Sequence, residues 1–296
     1  MYSEIAANKR KTVFLLLAFV ALIGGLAWLI GEYYGSPSIA LGALIGSLAY
    51  ALFSYFGASK IALTMNGAHQ IQKKDNPRLY RTVENLAITE GMPMPHVYII
   101  EDAAMNAFAT GRDPQHAHVA ITTGLLDVLD DSELQGVMAH ELGHVKNYDI
   151  RVSMFVFGLV MAVSLIADMM LRVSLFGGSQ GDDDDNSSSS PILMVFSIAA
   201  MVLAPLVAAL IQAAISRKRE YLADATGAMT TRYPEGLARA LEKIRDGSST
   251  LRRQNPSSAH LFFANPLRGK SFLALFSTHP PVEDRIAKLR GMGGKL

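Results

Sequence analysis

Four long apolar runs separate segments of this chain that are rich in polar residues. The runs cover residues 13–30, 37–56, 152–171 and 191–215. Each run is long enough to cross the roughly 30 Å hydrocarbon core of a bilayer as a helix. A signal peptide is the alternative for the first run, but no site of small residues precedes a polar mature start, which favours a membrane span. The pattern therefore predicts about four transmembrane helices, arranged as two hairpins.

The segments outside these hairpins have the periodicities of a soluble α+β domain. Apolar residues at helical spacing predict three helices, at 77–87, at 234–246 and after Pro281. Alternating apolar residues predict three short strands, at 96–101, 106–110 and 119–123. A short helix after Gly124 then leads into an amphipathic helix, for which Ser132 and Gln135 are expected to form a capping box. The sequence does not show which edge of the small sheet is free.

These elements divide the chain into four consecutive parts. We expect the first hairpin in residues 1–60, the second hairpin in residues 152–215, and the two halves of the soluble domain in residues 61–151 and 216–296. Residues 177–190 contain a run of four aspartates and a run of four serines. Consecutive aspartates do not match the ligand spacing of calcium-binding loops, so a solvated loop is favoured.

Basic residues set the expected orientation of both hairpins. They flank the outer ends of the apolar runs, at Lys9, Arg10, Lys11, Lys60 and residues 217–219, and are absent from residues 31–36 and 177–190. The positive-inside rule then places both termini and both soluble parts in the cytoplasm. Asp168 lies near the end of the third run, and an interfacial pair with Arg172 is favoured over a functional carboxylate inside the membrane.

Composition narrows the chemistry that the chain can carry. Half of the residues are hydrophobic and the formal net charge is +1, which favours a membrane protein over a nucleic-acid-binding protein. The chain contains no cysteine, so disulfides and thiolate metal sites are excluded. Any metal must be held by histidine and carboxylate side chains.

The segment His140-Glu141-Leu142-Gly143-His144 has the spacing of a zinc-binding helix. Two histidines four residues apart lie on one face of a helix, where both imidazoles can reach one ion. Glu141 lies beside that face and can act as general base towards a water molecule. The alternative is a surface helix with two unrelated histidines. Apolar residues recurring at helical spacing disfavour it: Leu134, Val137, Met138, Leu142 and Val145.

Glu220 is the candidate for the third protein ligand that a catalytic zinc needs. His144 lies just before the third apolar run and Glu220 just after the fourth, so two crossings would return the chain to the same side of the membrane. Asp224 follows one turn later and can hold a ligating histidine in one tautomer. The alternative for Glu220 and Asp224 is an ordinary solvated helix face, paired with Arg217 and Arg219.

The chain resembles the HtpX family of membrane-bound zinc metalloproteases, which are related to the CAAX prenyl proteases. The resemblance covers nearly the whole sequence. It comprises the four spans and several motifs: residues 106–111 (Asn-Ala-Phe-Ala-Thr-Gly), residues 140–144, residues 220–224, and Thr278-His279-Pro280-Pro281 followed by Arg285. It implies an α+β, zincin-like protease domain that is mostly helical with a small sheet.

The same resemblance implies roles for individual residues. His140, His144 and Glu220 would bind one zinc ion per chain, with Glu141 catalytic. His279 and Arg285 would stabilise the substrate or the tetrahedral intermediate. A peptide-binding edge would include Asn106, Ala107 and Phe108.

The family also implies an activity and a location. We expect a multi-pass protein of the plasma (inner) membrane whose cytoplasmic zinc endopeptidase domain cleaves damaged or misassembled membrane proteins, or unfolded polypeptides, as part of a stress response. The lipid bilayer is a partner, membrane proteases and chaperones are compatible partners, and nucleic acid is not. The alternatives are a dedicated processing protease of the CAAX type and a non-catalytic scaffold in which zinc only ties two helices together.

Overall fold

The computed structural model describes residues 2–33, 35, 37–161, 217–247, 250–253, 258–264 and 280–293. Several sequence predictions fall outside these residues: His279, the pair Asp168 and Arg172, the loop at 177–190, and the fourth apolar run.

Helices dominate the described part of the chain. They are α1 (Tyr2–Tyr33), α2 (Pro37–Met65), α3 (Pro77–Glu90), α4 (Thr123–Val128), α5 (Asp131–Lys146), α6 (149–161), α7 (Arg217–Thr231), α8 (Pro234–Asp246) and α9 (Val282–Met292). The strands are β1 (Ala68–Gln70), β2 (His96–Ile100), β3 (Ala107–Gly111) and β4 (Ala117–Thr122). The expected mostly helical α+β architecture with a small sheet is confirmed.

The four strands form one mixed sheet in the order β1-β2-β4-β3. Strands β2 and β4 are parallel, and the outer strands β1 and β3 are antiparallel to their neighbours. The three predicted strands are present, each shifted by one or two residues at its ends. Strand β1 was not predicted, because its three residues are too few to show an alternating pattern.

The sheet has a hydrophobic core on each face. On one face, side chains such as Val119 and Ile121 pack with residues of α3, α5 and α8. On the other face, Phe108 and Ala120 pack with Ala62 of α2 and with residues of α6. Strand β3 is thereby fixed beside α5, the helix that carries the histidine pair.

Helix α5 begins earlier than the sequence prediction. Asp130, not Ser132, is the N-cap: its carboxylate accepts from the Glu133 backbone N–H at 2.9 Å, and the Glu133 carboxylate accepts from the Asp130 N–H at 2.7 Å. The predicted Ser132–Gln135 capping box is therefore wrong. Ser132 instead donates to the Asp130 carboxylate at 2.7 Å. The positive end of the helix dipole also favours an aspartate at the N-cap.

The first hairpin of apolar runs forms the helices α1 and α2. Helix α1 packs on α6 through Leu15 and Phe19, and the Tyr50 hydroxyl of α2 donates to the Gly158 carbonyl at 2.6 Å. Within the described residues, one segment is long and apolar enough to cross a bilayer, Leu44–Met65. It begins later than the expected span at 37–56, and it ends later because α2 continues without a break past Lys60. The count of four spans is not confirmed.

Candidate metal and active site

Close packing of α5 against α7 brings the predicted ligands together. A Cβ atom on Gly143 would lie 3.4 Å from the Ala223 Cα, and one on Gly227 would lie 3.1 Å from the His140 backbone nitrogen. A Cβ atom is therefore just accommodated at Gly143, whereas at Gly227 it would force the two helices slightly apart. His140 and His144 lie one turn apart on α5, and the first turn of α7 places Glu220 opposite them.

The three side chains form a group that can hold one metal ion. The two Nε2 atoms of His140 and His144 are 3.1 Å apart. The Glu220 carboxylate oxygens are 3.8 Å from His140 Nε2 and 3.5 Å from His144 Nε2. A tetrahedral ion with bonds of about 2.0–2.1 Å separates its ligand atoms by roughly 3.3 Å. The observed spacing therefore fits such an ion with small adjustments of the side chains.

Asp224 and Arg285 fix the orientation of His140. The Asp224 carboxylate lies 2.9 Å from His140 Nδ1, which leaves Nε2 directed at the other two ligands. Arg285 donates to both oxygens of Asp224, at 2.8 and 2.7 Å, and is only 2% exposed. The Arg285 guanidinium also lies 4.7 Å from the centre of the Phe263 ring. Its contacts within the described residues are thus those of a positioning group.

The pKa values differ between the two histidines of this group. Burial lowers the pKa of His140 to about 4, even though Asp224 opposes the shift. Burial also lowers the pKa of His144, but Glu220, Asp149 and Glu141 outweigh it and raise the value to about 9. Burial would raise the pKa of Asp224, but Arg285 and His140 lower it to about 2. The carboxylates around His144 therefore favour positive charge there, whereas burial keeps His140 neutral.

Asp149 is a functional candidate that the sequence reasoning missed. Its carboxylate lies 3.0 Å from His144 Nδ1, so it orients the second histidine as Asp224 orients the first. Asp149 lies five residues after His144 and beyond the end of α5 at Lys146. Helical periodicity therefore does not predict that the two side chains meet. Tyr148, with φ of 60°, turns the chain back so that Asp149 reaches the histidine.

A cavity of about 530 Å³, including the part open to solvent, adjoins the three ligands. Glu141 is buried and lines it, as expected for a residue acting on a molecule held there. His260, Leu261, Phe262 and Phe263 also line it, and the Phe263 ring meets His140 edge-on at 4.9 Å between ring centres. This segment could not be predicted from the sequence, because it is irregular and its contacts are distant along the chain.

Strand β3 presents one backbone position at its outer edge beside this cavity. Thr122 donates its N–H to the Asn106 carbonyl, so in the β3–β4 register the backbone groups of Asn106 and Phe108 face β4. Those of Ala107 and Ala109 face outwards. The Ala107 N–H is bonded to the Asn106 side chain and its carbonyl accepts from Phe263. Ala109 lines the cavity.

The other predicted edge residues have structural contacts. The Asn106 amide exchanges two hydrogen bonds with the backbone of Ala264, at 2.8 and 3.0 Å. The Phe108 side chain is buried and packs on Phe262, with ring centres 4.9 Å apart. The structure therefore brings His140, Glu141, His144, Glu220, Asp224 and Arg285 together, and it places Asn106, Ala107 and Phe108 next to them without directing their side chains into the cavity.

Comparisons with known proteins agree with this geometry. The model of "Peptidase family M48" matches residues 73–293. A "Protease HtpX homolog" of Tropheryma whipplei (strain Twist) is 54% identical over 296 residues and is covered completely, as is this chain. One of Ligilactobacillus salivarius (strain UCC118) is 42% identical, with 99% of this chain and 100% of the relative covered. The crystal structure of S. mikatae Ste24p aligns with a TM-score of 0.51 at 21% identity, over 98% of this chain and 66% of that one.

Proposed function

Since this chain belongs to peptidase family M48 and is a metalloprotease, we propose that it is a zinc endopeptidase at the cytoplasmic membrane surface that cleaves damaged or misassembled membrane proteins. The observation that carries the proposal is the group His140, His144 and Glu220, with Glu141 and the edge of β3 lining the same cavity.

The donor set favours zinc over other divalent ions. Two imidazole nitrogens and one carboxylate are typical of catalytic zinc, whereas calcium and magnesium prefer oxygen ligands alone. Three protein ligands leave one position for water or substrate. A site that only ties α5 to α7 would close all four positions with protein ligands. In the part of the chain that the structure describes, the group comprises three ligands, which supports catalysis over the scaffold alternative.

We assign a separate role in peptide hydrolysis to each residue of the site. A zinc ion held by His140, His144 and Glu220 would supply a Lewis acid for the peptide carbonyl and would make the attacking water more acidic. Glu141 accepts the proton of that water and passes it to the amine of the departing peptide. The outward N–H and C=O groups of Ala109 pair with an extended substrate by β-augmentation. Asp224 and Arg285 hold His140 in place, and His279 remains a candidate for stabilising the oxyanion.

Exposed apolar side chains support membrane insertion of α1 and α2. The outward faces carry large hydrophobic residues that are about half to two-thirds exposed: Val13, Phe14, Leu17, Trp28, Leu41, Ile45, Leu48, Leu52, Phe53 and Phe56. Only 22% of an 18-residue apolar stretch within Leu44–Met65 is buried, whereas the core helix of a soluble protein is mostly buried. The proposed topology has four spans in two hairpins, with the protease halves 61–151 and 216–296 in the cytoplasm.

The position of the metal site supports membrane proteins as substrates. Asn8, five residues before the first apolar run, contacts Asp149 beside His144 at 2.8 Å. The active site therefore lies close to the point where α1 would enter the bilayer. For the alternative of a CAAX-type processing protease, the 21% identical neighbour supports the fold alone.

Cleavage by the purified full-length protein tests this function. We expect zinc-dependent cleavage of a misfolded membrane protein in detergent, abolished by Glu141→Gln and by a chelator. Full activity of Glu141→Gln would contradict the mechanism. Cleavage confined to a prenylated peptide would favour the processing alternative.

The absence of cysteine allows a direct test of the proposed topology. A single Ser187→Cys substitution in intact cells should react with a membrane-impermeant maleimide. Ser3→Cys should react only after permeabilisation. The opposite labelling pattern would place the protease on the other side of the membrane.

A further inference from the structure

The carboxylate that orients His144 is itself held by the N-terminal helix. One oxygen of Asp149 lies 3.0 Å from His144 Nδ1. The other accepts a hydrogen bond from Asn8 Nδ2 at 2.8 Å. Asp149 and Asn8 are each 4% exposed, and 141 residues of sequence separate them. The contact therefore links the start of α1 to a metal ligand.

The Asn8 side-chain amide donates two hydrogen bonds. Its second hydrogen bond goes to the Asn147 carbonyl at 2.9 Å, in the turn that connects α5 to α6. An NH₂ group has two hydrogens, so both are used and the amide orientation is fixed. Asn8 thus binds both the side chain of Asp149 and the backbone turn that positions it.

That turn needs support because its backbone is unusual. Tyr148 adopts a left-handed conformation, with φ of 60°, that residues other than glycine rarely occupy. Lys9 lies 4.6 Å from the centre of the Tyr148 ring, and Leu15 and Phe19 pack on α6 beyond it. Helix α1 therefore contacts both the turn and α6, in one continuous interface.

The two histidines have equivalent support on opposite sides. His140 is oriented by Asp224, which Arg285 fixes with two hydrogen bonds. His144 is oriented by Asp149, which Asn8 fixes, with Arg219 Nη1 3.6 Å from the same carboxylate oxygen. Arg285 belongs to the C-terminal helix and Asn8 to the N-terminal helix. The ligands on α5 are thus aligned from both ends of the chain.

From these contacts we propose that Asn8 and Asp149 are positioning residues for the metal ligand His144, so that helix α1 is part of the metal site as well as a membrane anchor. The inference rests on the proposed zinc site. Asp149 keeps the Nδ1 proton of His144 in place and Nε2 free for metal, and Asn8 keeps Asp149 from turning away.

Zinc affinity of the full-length protein in detergent tests this role independently of proteolysis. Glu141→Gln is present in every sample to prevent self-cleavage, and a chromophoric chelator competes for zinc. Loss of an outer-shell partner typically weakens metal affinity about 10- to 100-fold, which we expect for Asp149→Asn. Asn8→Ala, one bond further out, should weaken affinity about three- to tenfold. Lys9→Ala is the matched control, because it removes a contact of the same helix with no bond to Asp149.

A double variant separates positioning from general loosening of α1. If Asn8 acts through Asp149, Asn8→Ala should cause little further loss in the Asp149→Asn background. Independent, multiplying losses would overturn the proposal, as would an effect of Asn8→Ala no larger than that of Lys9→Ala. Zinc binding that is insensitive to His140→Ala would instead overturn the proposed metal site, so the two failures are distinguishable.

Discussion

Replacing Arg285 by leucine should leave the carboxylate of Asp224 buried without its cation. The guanidinium makes two hydrogen bonds to that carboxylate, and the two side chains are only 2% and 3% exposed. Removing one partner of such a buried pair costs about 3–5 kcal/mol. At about 2–4 °C for each kcal/mol in a protein of this size, the melting temperature should fall by roughly 6–20 °C.

Arg290 on the same helix provides the matched control. It contacts Glu235 and Glu242 at 3.0 Å, but its side chain is 45% exposed. Exposed pairs contribute about 0–1 kcal/mol, so Arg290→Leu should change the melting temperature little. Thermal unfolding is followed by circular dichroism in detergent with excess chelator, so that zinc loss does not contribute. Equal effects of the two substitutions would refute the reasoning.

The same pair gives a pH dependence with a defined sign. Arg285 and His140 overcome the effect of burial and lower the pKa of Asp224 from 3.8 to about 2, so the unfolded state binds the proton more readily. The ionised Asp224 carboxylate therefore contributes roughly 2–3 kcal/mol to the free energy of unfolding. This contribution is complete above pH 4 and is lost as the pH falls towards 2.

Adding Asp224→Asn to Arg285→Leu removes the orphaned charge and should recover about half of the lost stability.

Three further changes probe the substrate edge, the metal and the sheet. Ala109→Pro removes an N–H that faces away from β4. The kcat/KM for an extended peptide should therefore fall at least about tenfold, while zinc affinity stays unchanged. An unaffected kcat/KM would refute pairing at this edge. Chelation should abolish cleavage and lower the melting temperature, because an ion that binds only the folded protein stabilises it. Added zinc should restore both, and a chelated protein that still cleaves would exclude the metal mechanism. Burial, with His96, His116 and Arg112 nearby, lowers the pKa of His118 to about 4, so stability should decline from pH 6.5 towards 4. Denaturant titrations at several pH values should show that the stability of His118→Gln falls less steeply between pH 6.5 and 4. An equally steep fall would assign the loss of stability to other groups.

Local patterns in the sequence predicted the elements that carry the ligands. The spacing of His140 and His144 and the apolar periodicity around them predict the α5 face that the structure shows, because both follow from helix geometry. Glu220 could be connected to them because the two expected membrane crossings would return the chain to one side. Each of these inferences depends on residues close in sequence or on a simple count of crossings.

Contacts of irregular segments could not be predicted in the same way. Asp149 reaches His144 only because Tyr148 adopts a positive φ, and tyrosine gives no sequence signal for that conformation. The bond from Asn8 to Asp149 and the packing of Phe263 on His140 join residues more than 100 positions apart. The cap of α5 was misassigned because Asp130, Asp131 and Ser132 are all capable N-caps, and the choice depends on the backbone.

The zinc content of two purified variants tests the central claim most directly. Glu220→Ala should lose stoichiometric zinc and peptide cleavage together, because it removes a ligand. Glu141→Gln should retain one zinc per chain and lose cleavage, because it removes only the general base. Full zinc content in Glu220→Ala, or full cleavage by Glu141→Gln, would contradict the account.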